Sequence, residues 1–234
     1  MSIETQNLGQ VAPLSVGSGY LNLNKDNINK MCEVIEAQYK ESFDSYYIGE
    51  DKSWAGDAEG YAILHKLPEF EQFFLAVGDA CKKYCNDIGI NNTKFDYHVA
   101  RSWGTRSVAG QNISPHSHSY CHLSLVYYLT APENCGHLVL ASDNPANEII
   151  PGLFCEEAYE NGYISYTNPN SLYSIAYEPK PDLYTVFPAK TFHHTAQCKS
   201  EENRYSIAVD IVMTLKDSDT MELGLPSQAE WSSL

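Results

Sequence analysis

The chain has 234 residues, 43% of them hydrophobic and 12% aromatic, with 15 Lys and Arg against 30 Asp and Glu and a formal net charge of −15. This size and composition predict one globular domain with a complete core. The negative charge would repel a phosphate backbone or an anionic membrane, so nucleic acid and membrane surfaces are excluded as expected partners. A small-molecule or peptide substrate is the expected partner.

Cysteine usage indicates the compartment. The seven cysteines are odd in number and scattered, with no C-x-x-C pair, and no signal-like apolar stretch stands at the N-terminus. These features are typical of a reducing environment, and we expect a cytoplasmic protein.

Two amphipathic helices are predicted in the first part of the chain. Asn24 is a helix-capping residue, and the apolar residues after it recur at helical spacing, which predicts a helix over about 25–40. Pro68 suits a first helical position, and the apolar stripe that follows it ends before Gly89. Both helices should pack against one face of a sheet.

From Phe95 onward, the pattern changes to short β-rich runs separated by Gly, Pro and Asn clusters. The predicted strands are Phe95–Trp103, Leu123–Thr130, His137–Ala141, Leu172–Tyr177, Tyr184–Phe187 and Tyr205–Met213. The long stretch Asp143–Asn170 is a lid, a binding loop or a plain insertion. The pattern predicts a single domain: helical support over about 1–94, a β core over about 95–215 and a C-terminal tail over 216–234.

Histidines cluster at two points of the predicted barrel. His116 and His118 precede the strand that begins at Leu123, and side chains at i and i+2 of extended backbone point to the same side, so both can bind one metal ion. The adjacent pair His193 and His194 follows later in the chain. Because neighbouring strand residues face opposite ways, only one of this pair can join the site.

The last predicted strand carries a charge on one face. Its alternation puts Arg204, Ser206, Ala208 and Asp210 on one face and apolar residues on the other. A buried guanidinium requires an anionic partner to offset its desolvation, and a carboxylate that accepts two hydrogen bonds is the natural candidate. Asp210 or a loop glutamate could be that partner within the protein.

The order of these motifs resembles that of the iron(II)- and 2-oxoglutarate-dependent oxygenases, in particular a microbial and phage group with a His-x-His motif. The likeness covers roughly residues 54–213. The matching residues are Trp103, His116 with His118, Leu123-Ser124-Leu125-Val126-Tyr127-Tyr128-Leu129, Phe187-Pro188 with His193, and Arg204-Tyr205-Ser206. The resemblance implies a double-stranded β-helix, a jelly-roll or cupin-like barrel that is mainly β with packed helices.

The resemblance also implies which residues bind the metal ion and the cosubstrate. Iron(II) would be held by His116, His118 and His193, since the family pattern places the last ligand five residues after Pro188. Arg204 and Ser206 would bind the distal carboxylate of 2-oxoglutarate. The implied activity is that of an iron(II) dioxygenase, a hydroxylase of an unidentified substrate.

One departure from the family pattern leaves alternatives open. Most of the superfamily uses His-x-Asp/Glu with a distant His, the facial triad of two histidines and a carboxylate. Here His118 stands at the carboxylate position, so either a three-His centre operates or a carboxylate such as Asp143 arrives from elsewhere. The alternative functions are a three-His cupin-type dioxygenase that works without 2-oxoglutarate, and a non-enzymatic jelly-roll module that binds a metal or another ligand.

Overall fold

The computed structural model describes residues 14–45, 62–141, 147–166, 168, 170–217 and 224–233. Their helices are α1 (Lys25–Ser45), α2 (Glu71–Asp87) and α3 (Glu156–Glu160), with short 3-10 turns at Leu64–Lys66, Pro68–Phe70, Asn92–Lys94 and Gln228–Glu230. Their strands are β1 (Gly17–Tyr20), β2 (Phe95–Ser107), β3 (Ile113–His116), β4 (Leu123–Tyr128), β5 (Leu138–Ala141), β6 (Ser174–Tyr177), β7 (Leu183–Pro188), β8 (Phe192–Thr195) and β9 (Arg204–Leu215). None of these helices is long and apolar enough to cross a membrane.

The strands form two antiparallel sheets. The large sheet has the order β1-β7-β4-β9-β2, and the small sheet has the order β3-β8-β5-β6. From β2 to β9 the chain passes back and forth between the two sheets, so strands that are distant in sequence become neighbours. This winding is that of a double-stranded β-helix, and the predicted fold class is confirmed.

Both predicted helices form. The Asn24 side chain accepts a hydrogen bond from the backbone N–H of Asp26 at 2.9 Å, which caps α1. The helix continues to Ser45, five residues beyond the predicted end. Pro68 opens a 3-10 turn that leads directly into α2, and α2 ends at Asp87, before Gly89 with its positive φ of 88°.

The main apolar core lies between the helices and the large sheet. Strand β9 turns its apolar residues toward the helices, so the opposite face of the same strand is directed at the small sheet. Gly104 of β2 allows the close approach of α1, because a Cβ at that position would lie 2.4 Å from the Ile35 side chain. The core includes Met31, Ile35, Phe73, Val77, Leu125, Tyr127, Ile207, Val209 and Ile211.

Three strands were missing from the predicted set, β1, β3 and β8. Strand β1 has the sequence Gly-Ser-Gly-Tyr, which lacks the alternation of apolar and polar residues that predicts a strand. Its glycines allow close packing, because a Cβ at Gly17 would lie 2.8 Å from the Val186 side chain. Strand β3 contains Pro115, which weakens the strand signal. The described parts of the Asp143–Asn170 stretch contain only the short helix α3, while Asp143 lies outside the described residues.

Candidate metal centre

Three predicted histidines come together at the mouth of the barrel. His116 ends β3 and pairs directly with His193 of β8, while His118 follows two residues after His116. One potential ligand atom from each ring lies within 4.8 Å of the other two. The ring centroids of His116 and His193 are 4.3 Å apart, and the His118 ring lies 5.1 and 5.2 Å from them. His194 is not part of this group.

Each of the three rings has its Nδ1 atom engaged by a hydrogen-bond acceptor. The acceptors are the carbonyl oxygen of Ser114 for His116 at 2.8 Å, the carbonyl oxygen of Thr191 for His193 at 2.8 Å, and Oδ1 of Asp210 for His118 at 2.6 Å. Because carbonyl and carboxylate oxygens only accept, each Nδ1–H donates, and each Nε2 is left as the atom with a lone pair. This is the arrangement in which histidines bind metal ions in proteins.

The protonation of His193 fits the same use. The pKa of His193 is lowered to about 4, mainly by burial and also by the nearby His116 and His118, against the opposing effects of its bond to Thr191 and of Asp210. The ring is therefore neutral at pH 7, which a metal ligand must be. Neutral imidazoles suit iron(II), so the residues present fit the metal that the sequence implied.

A cavity of about 630 Å³, including its open mouth, extends from the histidines between the two sheets. Arg204, Ser206 and Ala208 of β9 line one side, as their alternation predicted. The remaining wall is largely apolar and aromatic and includes Trp103, Ile113, Val126, Tyr128 and Leu138. A partly enclosed apolar cavity with few polar groups is typical of a small-molecule site.

Arg204 is the charged group of this cavity and is only 2% exposed. Its guanidinium donates to the carbonyl oxygens of Cys135 and Gly136, each at 3.0 Å, and to Oγ of Ser107 at 2.7 Å. Its Nε has no hydrogen-bond partner. Within the described part of the chain, no carboxylate forms an ion pair with Arg204, so its charge is available to an anion in the cavity.

The possible pairing of Arg204 with Asp210 is wrong. Asp210 instead accepts hydrogen bonds from His118 and from the Tyr120 hydroxyl group at 2.8 Å. Six residues separate Arg204 from Asp210 along one strand, a span of about 20 Å at roughly 3.3 Å per residue. The two side chains share a face of β9, but Arg204 begins the strand and Asp210 lies near its middle.

Three polar residues of the site escaped the sequence analysis. Ser124 is 1% exposed, lines the cavity, and its Oγ has no partner. Alternation along β4 places Ser124 on the same face as Val126 and Tyr128, a signal that could have identified it. Ser107 and Tyr120 gave no such signal, because only the fold brings them to Arg204 and Asp210. Burial raises the pKa of Tyr120 to about 12, with Asp210 adding to the shift, so its hydroxyl group donates at neutral pH.

Comparison with known proteins agrees with this site. Residues 101–210 match the model of a family described as "Putative 2OG-Fe(II) oxygenase". The matched segment runs from β2 to the Asp210 position of β9 and contains all three histidines, Arg204 and Ser206. None of the curated proteins matches the chain.

Solved structures share the fold at low sequence identity. A prolyl-4-hydroxylase from Pseudomonas putida has a TM-score of 0.50 at 12% identity, covering 86% of this chain and 90% of its own. Iron-bound HygX from Streptomyces hygroscopicus has a TM-score of 0.51 at 12% identity, covering 85% and 82%. SnoN, a non-heme α-ketoglutarate-dependent epimerase from nogalamycin biosynthesis, has a TM-score of 0.53 at 10% identity, covering 86% and 81%.

The double-stranded β-helix, the histidine cluster and the family match over residues 101–210 all make the chain similar to the iron(II)- and 2-oxoglutarate-dependent oxygenases. The resemblance found in the sequence is thereby confirmed. Iron(II) and 2-oxoglutarate, the predicted cofactor and cosubstrate, are those of this family.

Proposed function

We propose that the chain is a hydroxylase that holds iron(II) through His116, His118 and His193 and binds the distal carboxylate of 2-oxoglutarate with Arg204 and Ser206. The observation that carries this proposal is the buried Arg204 guanidinium, which lines the cavity without an ion-pair partner among the described residues. Bound iron would supply the activation of oxygen with 2-oxoglutarate and the oxidation of a C–H bond. The protein supplies geometry and a partly enclosed, largely apolar cavity.

Each proposed contact has a physical basis. Arg204 is held by three hydrogen bonds, so its two remaining N–H donors are fixed before a ligand arrives. Ser206 lies two residues further along the same face and can donate a second hydrogen bond to the same carboxylate. The unpartnered hydroxyl group of Ser124 adds a third donor in the cavity.

The substrate class and the compartment are also part of the proposal. The net charge of −15 disfavours nucleic acid and supports a small molecule or peptide as substrate. All seven cysteines are free thiols, which supports a reducing compartment such as the cytoplasm. The related fold serves a prolyl-4-hydroxylase and an epimerase, so hydroxylation is proposed on chemical grounds as the simplest outcome of C–H oxidation.

The test is Arg204→Met, which keeps much of the side-chain volume and removes the charge. We expect 2-oxoglutarate binding to weaken by about 2–5 kcal/mol, the range for breaking a buried charge pair, while iron(II) binding is nearly unchanged. Anaerobic calorimetry with iron(II), and then with 2-oxoglutarate, measures both. Equal 2-oxoglutarate affinity in the two proteins would remove Arg204 from the cosubstrate site and favour the three-His dioxygenase that needs no 2-oxoglutarate.

A second measurement tests the reaction. Oxygen uptake by the iron-loaded protein should require 2-oxoglutarate and yield succinate. With a panel of small molecules and peptides under ¹⁸O₂, a hydroxylase incorporates one labelled oxygen atom into the product. A product of unchanged elemental composition would point to an epimerase-type outcome instead.

A further inference from the structure

A buried carboxylate lies directly behind one of the three histidines. Asp210 is 0% exposed, and its Oδ1 lies 2.6 Å from Nδ1 of His118. Its Oδ2 accepts the hydrogen bond from Tyr120. Among the described residues, no Lys or Arg side chain forms an ion pair with Asp210. The carboxylate is therefore held by hydrogen bonds from His118 and Tyr120, with the Cys121 thiol as a further hydrogen-bond partner, and it faces the histidine cluster across a single imidazole ring.

In the other two histidines the Nδ1 proton has a different kind of acceptor. His116 and His193 donate their Nδ1 protons to neutral backbone carbonyl oxygens. The three rings therefore differ in the acceptor of the Nδ1 proton, which is a carboxylate for His118 and a carbonyl oxygen for the other two. His118 is also the residue that stands where the family pattern has a carboxylate ligand. Position 118, which has a histidine in place of the carboxylate ligand, therefore has a carboxylate hydrogen-bonded to the other side of its ring.

Electrostatics links the buried carboxylate of Asp210 to the absence of a carboxylate from the proposed ligand set. A carboxylate without a cationic partner is costly to bury, and a divalent ion on the far side of the His118 ring would offset that cost. In return, a carboxylate that accepts the Nδ1 proton raises the basicity of the imidazole and makes it a stronger metal ligand. Three imidazoles with neutral partners would leave the iron one unit more positive than the usual facial triad does.

We propose that Asp210 acts through His118 to supply the negative charge that a carboxylate ligand supplies in the His-x-Asp/Glu enzymes. Asp210 is a positioning residue, since it contacts a proposed ligand and not the metal. The proposal rests on the proposed three-His site, and it makes a carboxylate ligand from another part of the chain unnecessary.

Direct ligation by Asp210 is the competing reading, because His118, Cys121 and Asp210 also bring potential ligand atoms within 4.8 Å of one another. The short distance from Nδ1 to Oδ1 argues against it. Two atoms bound to one metal ion at about 2.1 Å each lie about 3 Å or more apart. A separation of 2.6 Å is that of a charge-assisted hydrogen bond.

The test is Asp210→Asn, which keeps the shape and an acceptor oxygen for His118 but removes the charge. We expect anaerobic titration with iron(II) alone to give an affinity 10–100-fold lower than that of the wild type, the range for losing a partner of a metal-bound histidine. Tyr120→Phe is the matched control: it removes the second hydrogen bond of Asp210 and keeps the charge. Its iron affinity should fall less than that of Asp210→Asn.

A spectroscopic readout separates charge from mere structural support. The visible charge-transfer band of the iron(II) and 2-oxoglutarate complex should move to shorter wavelength in Asp210→Asn, because the less electron-rich iron is a weaker donor. Tyr120→Phe should leave the band nearly in place. If the wild type shows no such band, the proposed cosubstrate site fails, while the iron titrations still test the role of Asp210.

The decisive variant moves the carboxylate from position 210 to position 118. His118→Asp combined with Asp210→Asn returns the carboxylate to the ligand position, and we expect iron affinity to recover relative to Asp210→Asn alone. Unchanged affinity and an unchanged band in Asp210→Asn would overturn the proposal. It would also be overturned if Asp210→Asn abolished iron binding while His118→Ala retained it, since Asp210 would then be a ligand. If Asp210→Asn does not fold, the double variant decides, and its failure to bind iron counts against the proposal.

Discussion

The two sheets of the barrel differ in role: the large sheet carries most of the apolar core, and the small sheet carries two of the proposed metal ligands. The large sheet carries the main apolar core on its outer face, where α1 and α2 cover it. The small sheet takes part in only a minor cluster of buried apolar residues, formed by Leu138 and Leu140 with Phe187 of the large sheet. Yet the small sheet contributes His116 and His193. Two of the three proposed metal ligands thus lie in the sheet that has fewer buried apolar residues.

Strand β9 joins the two roles. Its outward face gives Ile207, Val209 and Ile211 to the core, and its inward face gives Arg204 and Asp210 to the site. Because its backbone is fixed by neighbours on both sides, β4 and β2, charged side chains on this strand keep their positions. We therefore expect substitutions on the inward face of β9 and in the small sheet to change mainly binding. Substitutions on the outward face of β9 should change mainly the free energy of unfolding.

The largest expected effect concerns the small sheet. His116→Ala and His193→Ala should each abolish iron binding, because the loss of one of three protein ligands leaves two that no longer define the geometry. Anaerobic titration with iron(II) measures this, and thermal unfolding of the metal-free variants should change little by comparison.

His194→Ala is the matched control, since its neighbour His193 and not His194 lies with the other two histidines. We expect His194→Ala to retain iron binding. Loss of binding in His194→Ala together with retention in His193→Ala would mean that the register of β8 differs by one residue from that described.

The next effect concerns the core face of β9. Ile207 is fully buried among the apolar residues beneath the helices, and Ile207→Ala should lower the free energy of unfolding by about 2–5 kcal/mol. Leu140→Ala in the small sheet should cost less, because fewer apolar neighbours surround it. Chemical denaturation of the metal-free proteins measures both. Equal losses would break the proposed division of roles between the sheets.

A pH dependence follows from His193. Its folded pKa is about 4, below its ordinary value of 6.5, so between these values the unfolded chain binds a proton that the folded chain does not. The free energy of unfolding of the metal-free protein should therefore fall as the pH drops from about 6.5 to about 4, by roughly 3 kcal/mol from this residue. His193→Ala should flatten that part of the profile, and an unchanged profile would contradict the neutral state assigned to His193.

Sequence patterns predicted those features that depend on local periodicity. Alternation in β9 separated Arg204 and Ser206 from the apolar face, and the i, i+2 rule brought His116 and His118 together. Contacts between distant segments were not predictable. The bond from His118 to Asp210 spans 92 residues, and the partners of Arg204 come from β2 and from the turn before β5. Nothing in the local sequence of either partner specifies such a pair.

The smallest effect concerns the hydroxyl groups of the cavity. Ser206→Ala should weaken 2-oxoglutarate binding by about 1 kcal/mol, the value of a typical single hydrogen bond, because Arg204 supplies most of the attraction to the carboxylate. Ser124→Ala should have a similar or smaller effect, because the unpartnered Ser124 hydroxyl group gains a partner only when a ligand enters. Removing an unpaired buried hydroxyl group should also leave the metal-free protein as stable as the wild type or slightly more so, whereas Ile207→Ala destabilises it. Calorimetry with 2-oxoglutarate on the iron-loaded proteins, paired with denaturation of the metal-free proteins, gives both quantities for each variant. A loss of binding in Ser206→Ala as large as that in Arg204→Met would mean that the cosubstrate is bound mainly by hydroxyl groups, and that the charge on the inward face of β9 has another use.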